Sequence, residues 1–161
     1  MVASEAAPFA KTGGLADVIG ALPAALARLG DEVAVVLPRY RGIAVPPQDR
    51  IWRGLPVGVG AHAYLADIDQ IVHHGVRYLF ADIPPLYDRS GIYGEAGADY
   101  PDNHLRFAAL SHAALGVARN IFRPDVFHVH DWQAGLLPMI LRGPLAGDRC
   151  RCASAYRPGR G

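Results

Sequence analysis

Lys11 and Thr12 are the only lysine and the only threonine of the chain, and they stand side by side in Ala10-Lys11-Thr12-Gly13-Gly14-Leu15-Ala16-Asp17-Val18. Every other basic residue is Arg, the pattern of a composition that has removed lysine wherever a substitute serves. Lysine offers a compact charge on a flexible stem, where Arg offers a planar fork. Gly13 and Gly14 have no side chain to keep a ligand from the backbone amides. A helix starting just after them adds unpaired N–H groups and a partial positive charge. Together these features predict an anion site. The spacing is neither Gly-x-Gly-x-x-Gly nor Gly-x-x-x-x-Gly-Lys, so the common dinucleotide and P-loop fingerprints are absent. A solvated lysine in a glycine turn is the plain alternative, and the composition and the neighbours both weigh against it.

The second candidate group is His128-Val129-His130-Asp131-Trp132. Val126 to His130 reads as a strand, with Asp131 in the turn at its carboxyl end and a helix over residues 133–142. Ligands of open α/β sheets bind outside the carboxyl ends of strands, which puts Asp131 and Trp132 where a site belongs. The Lys11 turn follows the first strand in the same way, so both groups are expected to open on one crevice. Asp131 also has a purely structural reading, as the cap of the following helix. His128 and His130 share a strand face and invite a metal-hydrolase reading. That pattern needs a further His directly after a spaced Asp, and Trp132-Gln133 stands there instead, so packed or hydrogen-bonded histidines are expected and no metal is assigned.

The elements that must hold these groups follow from periodicity. Leu15, Val18, Ile19, Leu22, Leu26 and Leu29 form a helical stripe ended by Gly30, with Pro23 inside it as a source of bending. Val33 to Pro38 is a wholly apolar run of the kind found in a strand buried on both faces, so helix and strand suggest a βαβ unit. Its first strand is short, because only Met1-Val2-Ala3 precede Ser4, and a truncated start is expected. The stretch 51–84 reads as strand pairs with a hairpin at His74-Gly75. Residues 84–101 form a long loop rich in Gly, Pro, Tyr and Asp, which for its length is expected to be either functional or disordered. Tyr87, Tyr93 and Tyr100 either pin this loop or bind a ligand. Asp102 is expected to cap a helix carrying Phe107, Leu110, Ala114, Leu115, Val117 and Ile121.

The bulk numbers narrow the class. A chain of 161 residues suits one domain. Its net charge of +1 comes from Arg residues scattered among acids, which argues against nucleic-acid and anionic-membrane partners. No apolar run is long enough for a membrane span, and the start lacks the basic region of a signal peptide, so a cytoplasmic location is expected. Cys150 and Cys152 are too close for an ordinary disulfide framework and lack a partner pair for zinc. Residues 149–161 show no period and read as a disordered or aberrant tail after a domain over 1–148.

Four separated motifs now carry a likeness. Ser4 to Val18, Leu86-Tyr87-Asp88-Arg89, Asp102 to Phe107, and His128 to Gly135 resemble, in order and in one register, the bacterial glycogen synthase and plant starch synthase family. The resemblance implies an α/β fold. It would be a Rossmann-like parallel-sheet domain with helices on both faces, the amino-terminal half of a two-domain GT-B glycosyltransferase. It implies transfer of glucose from ADP-glucose to the non-reducing end of an α-1,4-glucan with retention, using no cofactor. The partners implied are ADP-glucose, the glucan (glycogen), and a carboxyl-terminal nucleotide-binding domain that this chain lacks. The family's His-Asn stretch, due shortly after Gly147, is replaced by the Arg/Cys tail, so the chain is expected to be an inactive fragment when alone. Position by position, Lys11 resembles the lysine on the donor phosphates, Gly13 and Gly14 the glycines beside the diphosphate, and Asp131 the catalytic aspartate near the transferred glucose. Trp132, Tyr93 and Asn103 match positions on the glucan side, and Glu5 and Asp17, which line the same loop, are grouped with them as acceptor residues. The residue types suit the chemistry: charge grows negative on the diphosphate and positive on the sugar as the bond breaks, and prepositioned donors and a carboxylate favour that state. A non-catalytic Rossmann-like module that binds a nucleotide or a glucan is the alternative.

Overall fold

The computed structural model describes residues 1–143 and the backbone of Ala153–Ser154; the predictions for the rest of the tail, Cys150 and Cys152 included, lie outside the described residues. Helix α1 (Gly14–Arg28) leads into strand β1 (Ala34–Pro38), which is buried at all five positions. Strands β2 (Arg50–Val59), β3 (His62–His73) and β4 (Val76–Asp82) form a meander. A helical turn α2 (Pro84–Tyr87) and a minimal hairpin of β5 (Gly94–Glu95) and β6 (Ala98–Asp99) occupy the long loop. Helix α3 (Asn103–Asn120), strand β7 (Val126–Phe127), helix α4 (Leu136–Arg142) and strand β8 (Ala153–Ser154) complete the order.

The sheet is mixed. Its order is β1-β4-β3-β2, with β1 parallel to β4 and the meander antiparallel. Val2 extends it by bridging Val36 and Val129, both in parallel. Its amide donates to the His128 carbonyl at 2.9 Å and its carbonyl accepts from the His130 amide at 3.0 Å. The short run Met1–Ala3 therefore lies between β1 and residues 128–130, and β8 lies parallel to β7 beyond them. Two residues of the predicted tail, Ala153 and Ser154, are thus paired as a strand.

Alternation along β4 separates the two faces. Tyr78 and Phe80 point to α1 and Phe9, whose ring centroid lies 4.8 Å from Tyr78 and 5.2 Å from Phe80. Leu79 and Ala81 point the other way, with Ile68, Ala66 and Leu55, toward α3, where Gly116 makes room for the Leu55 methyls. Helices thus cover both faces, as the apolar patterns require. Complete burial of Leu37, Leu79 or Phe80 contributes roughly 1.5–3 kcal/mol each.

Local chemistry explains the boundaries. Gly30 takes φ 101°, and the Gly30 and Asp31 amides donate to the Ala27 and Leu26 carbonyls at 3.1 and 3.3 Å, closing a Schellman motif. Pro23 leaves α1 continuous. The Ile19 carbonyl, deprived of its usual donor by that proline, accepts a long 3.5 Å bond from the Tyr78 hydroxyl instead. The β3–β4 hairpin turns on His74 and Gly75, both at positive φ, the requirement of a type I′ turn. Asp102 departs from expectation: it precedes α3 but makes no side-chain cap bond. Its carboxylate is held by both terminal nitrogens of Arg89, at 2.7 and 2.5 Å. Strand β7 is shorter than predicted, and residues 133–142 divide into a 3-10 turn (Trp132–Ala134) and α4.

Arginines and aspartates knit the meander to β1. Arg50 contacts Asp67 (2.6 Å), Asp69 (2.7 Å) and Asp82 (2.5 Å), while Arg39 contacts Asp69 (3.1 Å) and Asp82 (3.0 Å).

Candidate functional site

Val2 is the junction on which the site is built. Because it pairs with Val129, the chain leaving the first strand through Ser4 and Glu5 and the chain leaving residues 128–130 through Asp131 emerge side by side at the carboxyl edge of the sheet. The first turns through Lys11–Gly14 into α1, and the second through Trp132 toward α4. A cleft of about 410 Å³ lies at the opposite edge, lined by Met1, Val33, Val126 and the end of α3, and contains none of the predicted site residues.

In the glycine turn the amides are only partly free. The Glu5 carboxylate, 2% exposed, accepts from the Thr12 amide, from the Gly13 amide at 3.2 Å and from the Thr12 hydroxyl at 2.8 Å. The Tyr93 hydroxyl donates to it at 2.5 Å. Burial pushes the Glu5 carboxyl up, and the bonds from Tyr93, Thr12 and Gly13 outweigh it and hold the carboxyl below the usual range. Tyr93 is pushed up by burial and by its bond to Glu5, against the opposing 2.8 Å contact with the Ser4 hydroxyl. The Gly13 amide is therefore committed within the protein, and the open donors of this turn begin at Gly14, the first residue of α1. A Cβ added at Gly13 or Gly14 meets no atom within 4 Å, so space stands over both. Lys11 is exposed and its ammonium rests on the Asp17 carboxylate at 2.6 Å, one helical turn into α1.

Asp131 has φ 61° and ψ 178°, a region that is essentially glycine's own and costs of order 1–3 kcal/mol. Its carboxylate accepts from the Trp132 amide at 2.7 Å. Such strain held at the carboxyl end of a strand is a mark of a functional turn. Trp132 is 59% exposed, with its ring edge-on to Phe107 at 5.2 Å. Phe107 meets Tyr93 at 5.9 Å. Trp132, Phe107, Tyr93, Glu5 and Thr12 thus form one unbroken line of contacts from one turn to the other.

Asn103 has both ends engaged: its nitrogen donates to the Tyr93 carbonyl at 2.8 Å and its oxygen accepts from Arg106 at 2.6 Å. Tyr87 and Tyr100 pin the loop. The Tyr87 hydroxyl donates to the Arg106 carbonyl at 2.8 Å, and the Tyr100 hydroxyl lies 3.2 Å from the Gly91 amide beneath the Arg89 and Arg106 guanidinium groups. Arg106, fully buried, also donates to the Leu86 carbonyl at 2.7 Å, and burial lowers its pKa. Ser4 and Arg106 escaped the sequence reading. Arg106 carries a signal, since it falls on the apolar stripe of α3 with Leu110 and Val117.

His128 and His130 lie side by side with ring centroids 4.1 Å apart and planes tilted by 31°. Burial first, and then His128 and the terminal amine, lower His130 to about 4, and burial lowers His128 as well. Among the described residues no set of three His, Cys, Asp or Glu side chains could hold a metal ion. Nor, among them, is any helix long and apolar enough to cross a membrane.

This geometry can be set against known proteins. The family model for the starch synthase catalytic domain matches residues 1–151. The chain belongs to that family. It is 42% identical over 147 residues to a glycogen synthase of Koribacter versatilis and 49% identical over 147 residues to one of Roseobacter denitrificans, covering 91% and 87% of this chain and 30% of each relative. The family likeness also holds in three dimensions. The catalytic domain of starch synthase IV from Arabidopsis thaliana, bound to ADP and acarbose, superposes with a TM-score of 0.80 at 28% identity, over 95% of this chain and 32% of that one. The chain thus spans about a third of the length of the relatives it matches, and its α/β fold is that of the amino-terminal part of a GT-B enzyme.

Proposed function

We propose that this chain forms part of the amino-terminal, acceptor-side domain of a synthase that transfers glucose from ADP-glucose to the non-reducing end of an α-1,4-glucan with retention. In this reading residues 1–161 supply one side of the site, and turnover requires a nucleotide-gripping domain on the other. The observation that carries this reading is the pairing of Val2 with Val129, which sets a glycine turn at a helix start and a strained Asp turn on one sheet edge. ADP and acarbose in the Arabidopsis relative support a nucleotide and a saccharide as the occupants.

In this reading the open amides at Gly14 and the first turn of α1 face the diphosphate, with Lys11 released from Asp17 to neutralise the departing oxygens. Gly13 contributes space rather than an amide. The Asp131 carboxylate stands by the transferred glucose, where it stabilises the cationic sugar of the transition state. Trp132 gives the glucan an aromatic face. Tyr93 borders the same subsite, while Asn103 serves by holding the Tyr93 backbone. A cytoplasmic location belongs to the same reading.

The test is incorporation of labelled glucose from ADP-glucose into glycogen, with this chain alone and with a carboxyl-terminal half from a relative supplied. Turnover only in the second case is the expected result. Turnover by the chain alone contradicts the claim that it is half a site, and none in either case contradicts the assignment.

A further inference from the structure

Glu5 is a nearly buried carboxylate bound by four neutral donors: two amides, from Thr12 and Gly13, and two hydroxyls, from Thr12 and Tyr93. Ser4, its neighbour in the chain, touches the same Tyr93 hydroxyl at 2.8 Å. Four donors on two oxygens satisfy the group, and releasing them into a buried setting costs more than any one bond is worth. The Tyr93 backbone is fixed from the other side. Its carbonyl accepts from the Asn103 side chain at 2.8 Å and from the Tyr100 amide at 2.9 Å. Asn103 is held by Arg106 at 2.6 Å, and Arg106 holds Leu86 at 2.7 Å. A continuous chain of hydrogen bonds thus runs from the start of the long loop, through α3 and Tyr93, to the amides of the glycine turn.

We infer that Glu5 and Tyr93 form a clasp that sets the shape of the phosphate-facing turn. Glu5 is a positioning residue, touching neither phosphate nor sugar, and Tyr93 transmits the order of the 84–101 loop to residues 12–14. The phosphate part of this inference rests on the function proposed above; the clasp itself does not. By taking the Thr12 and Gly13 amides, Glu5 directs the anion to the next free donors, at Gly14 and beyond, in line with the α1 axis. Filling of the sugar side of the crevice, which bears on Tyr93 through Phe107 and Trp132, is thereby coupled to the geometry of the phosphate side.

The experiment uses the 161-residue chain and inorganic pyrophosphate as probe, titrated calorimetrically into wild type, Tyr93→Phe, Glu5→Gln and the double variant, with amide hydrogen exchange followed at residues 10–16. Tyr93→Phe keeps the ring against Phe107 and removes only the hydroxyl. The expected result is a loss of about tenfold in affinity in each single variant and no further loss in the double, because both act through one clasp. Exchange at Thr12 and Gly13 speeds up in Tyr93→Phe. Should Glu5→Gln not fold, Asn103→Ala, which loosens Tyr93 from its backbone side, takes its place in the cycle. Additive losses, unchanged exchange at Thr12 and Gly13, or tighter binding in Glu5→Gln each overturn the clasp, the last because it makes Glu5 a mere occupant of the ligand's place. Faster exchange with no pyrophosphate binding in wild type leaves the clasp standing and removes the phosphate assignment.

Discussion

Two polar clusters at this end of the sheet use carboxylates in opposite ways. Around the meander, Asp67, Asp69 and Asp82 face Arg39 and Arg50, and Arg53 lies within 3.8 Å of Asp67, so each carboxylate meets at least one guanidinium, Asp67 accepting from the Gly54 amide at 2.8 Å as well. In the crevice the two carboxylates nearest the sheet edge meet neutral groups: Glu5 holds amides and hydroxyls, and Asp131 holds an amide in a strained backbone. The crevice cation, Lys11, is exposed and tied only to Asp17. In the knot the charges are already compensated within the protein. A cluster with unspent amides, strain and a movable ammonium has groups left to offer a ligand, and that contrast marks the crevice as the working part.

The largest effect is expected where the knot is broken. Arg50→Ala leaves the buried Asp69 and the half-buried Asp82 with a single cationic partner, Arg39, and a loss of about 3 kcal/mol in urea unfolding follows; a loss below about 1 kcal/mol means the knot is not what binds the meander. Next comes Asp131, where the ordinary order of residues inverts. Asp131→Gly unfolds less readily than Asp131→Ala by about 1–2 kcal/mol, since only glycine accepts that φ and ψ without strain. Equal stabilities would remove the strain from the account.

Acid sharpens the comparison further. His130 titrates in the fold at about 4, below the ordinary 6.5, so its stabilising contribution is complete above pH 6.5 and is lost as the pH falls toward 4. Glu5, lowered from 4.5, contributes stability above pH 4.5 that disappears as the pH falls through its folded value. Thermal unfolding of Glu5→Gln should therefore lie below wild type near pH 7 and converge with it in acid. The smallest effect falls on Lys11. Lys11→Ala changes stability by no more than about 0.5 kcal/mol, as for any exposed pair, while pyrophosphate affinity drops; a stability loss as large as that at Arg50 would make Lys11 structural.

The split between these regions also divides what the sequence disclosed. Periodicity gave α1, its Gly30 stop, β1, the His74-Gly75 hairpin and α3, because each is written in residues close together along the chain. The Lys11–Gly14 turn and Asp131-Trp132 were legible as candidates from residue type and from their place after strands. Strand β2 was not read as a separate element, since Gly54, Pro56 and Gly58 break its alternation. Asp102 misled because a cap residue looks the same in sequence whether it bonds its own helix or Arg89 across the loop. The Glu5–Tyr93 bond joins residues far apart in sequence, and no local pattern announces such a pair. Its consequence, that Gly13 spends its amide inside the protein, follows only from coordinates.

The claim on which the rest depends is that the two turns flank one ligand. Titration of ADP-glucose into the isotopically labelled chain, followed by amide chemical shifts, tests it directly. The account predicts that Gly14 and Leu15 shift together with Asp131 and Trp132, at one common affinity, while the meander stays silent. Shifts confined to one turn, or appearing first around the knot of Arg39 and Arg50, contradict it.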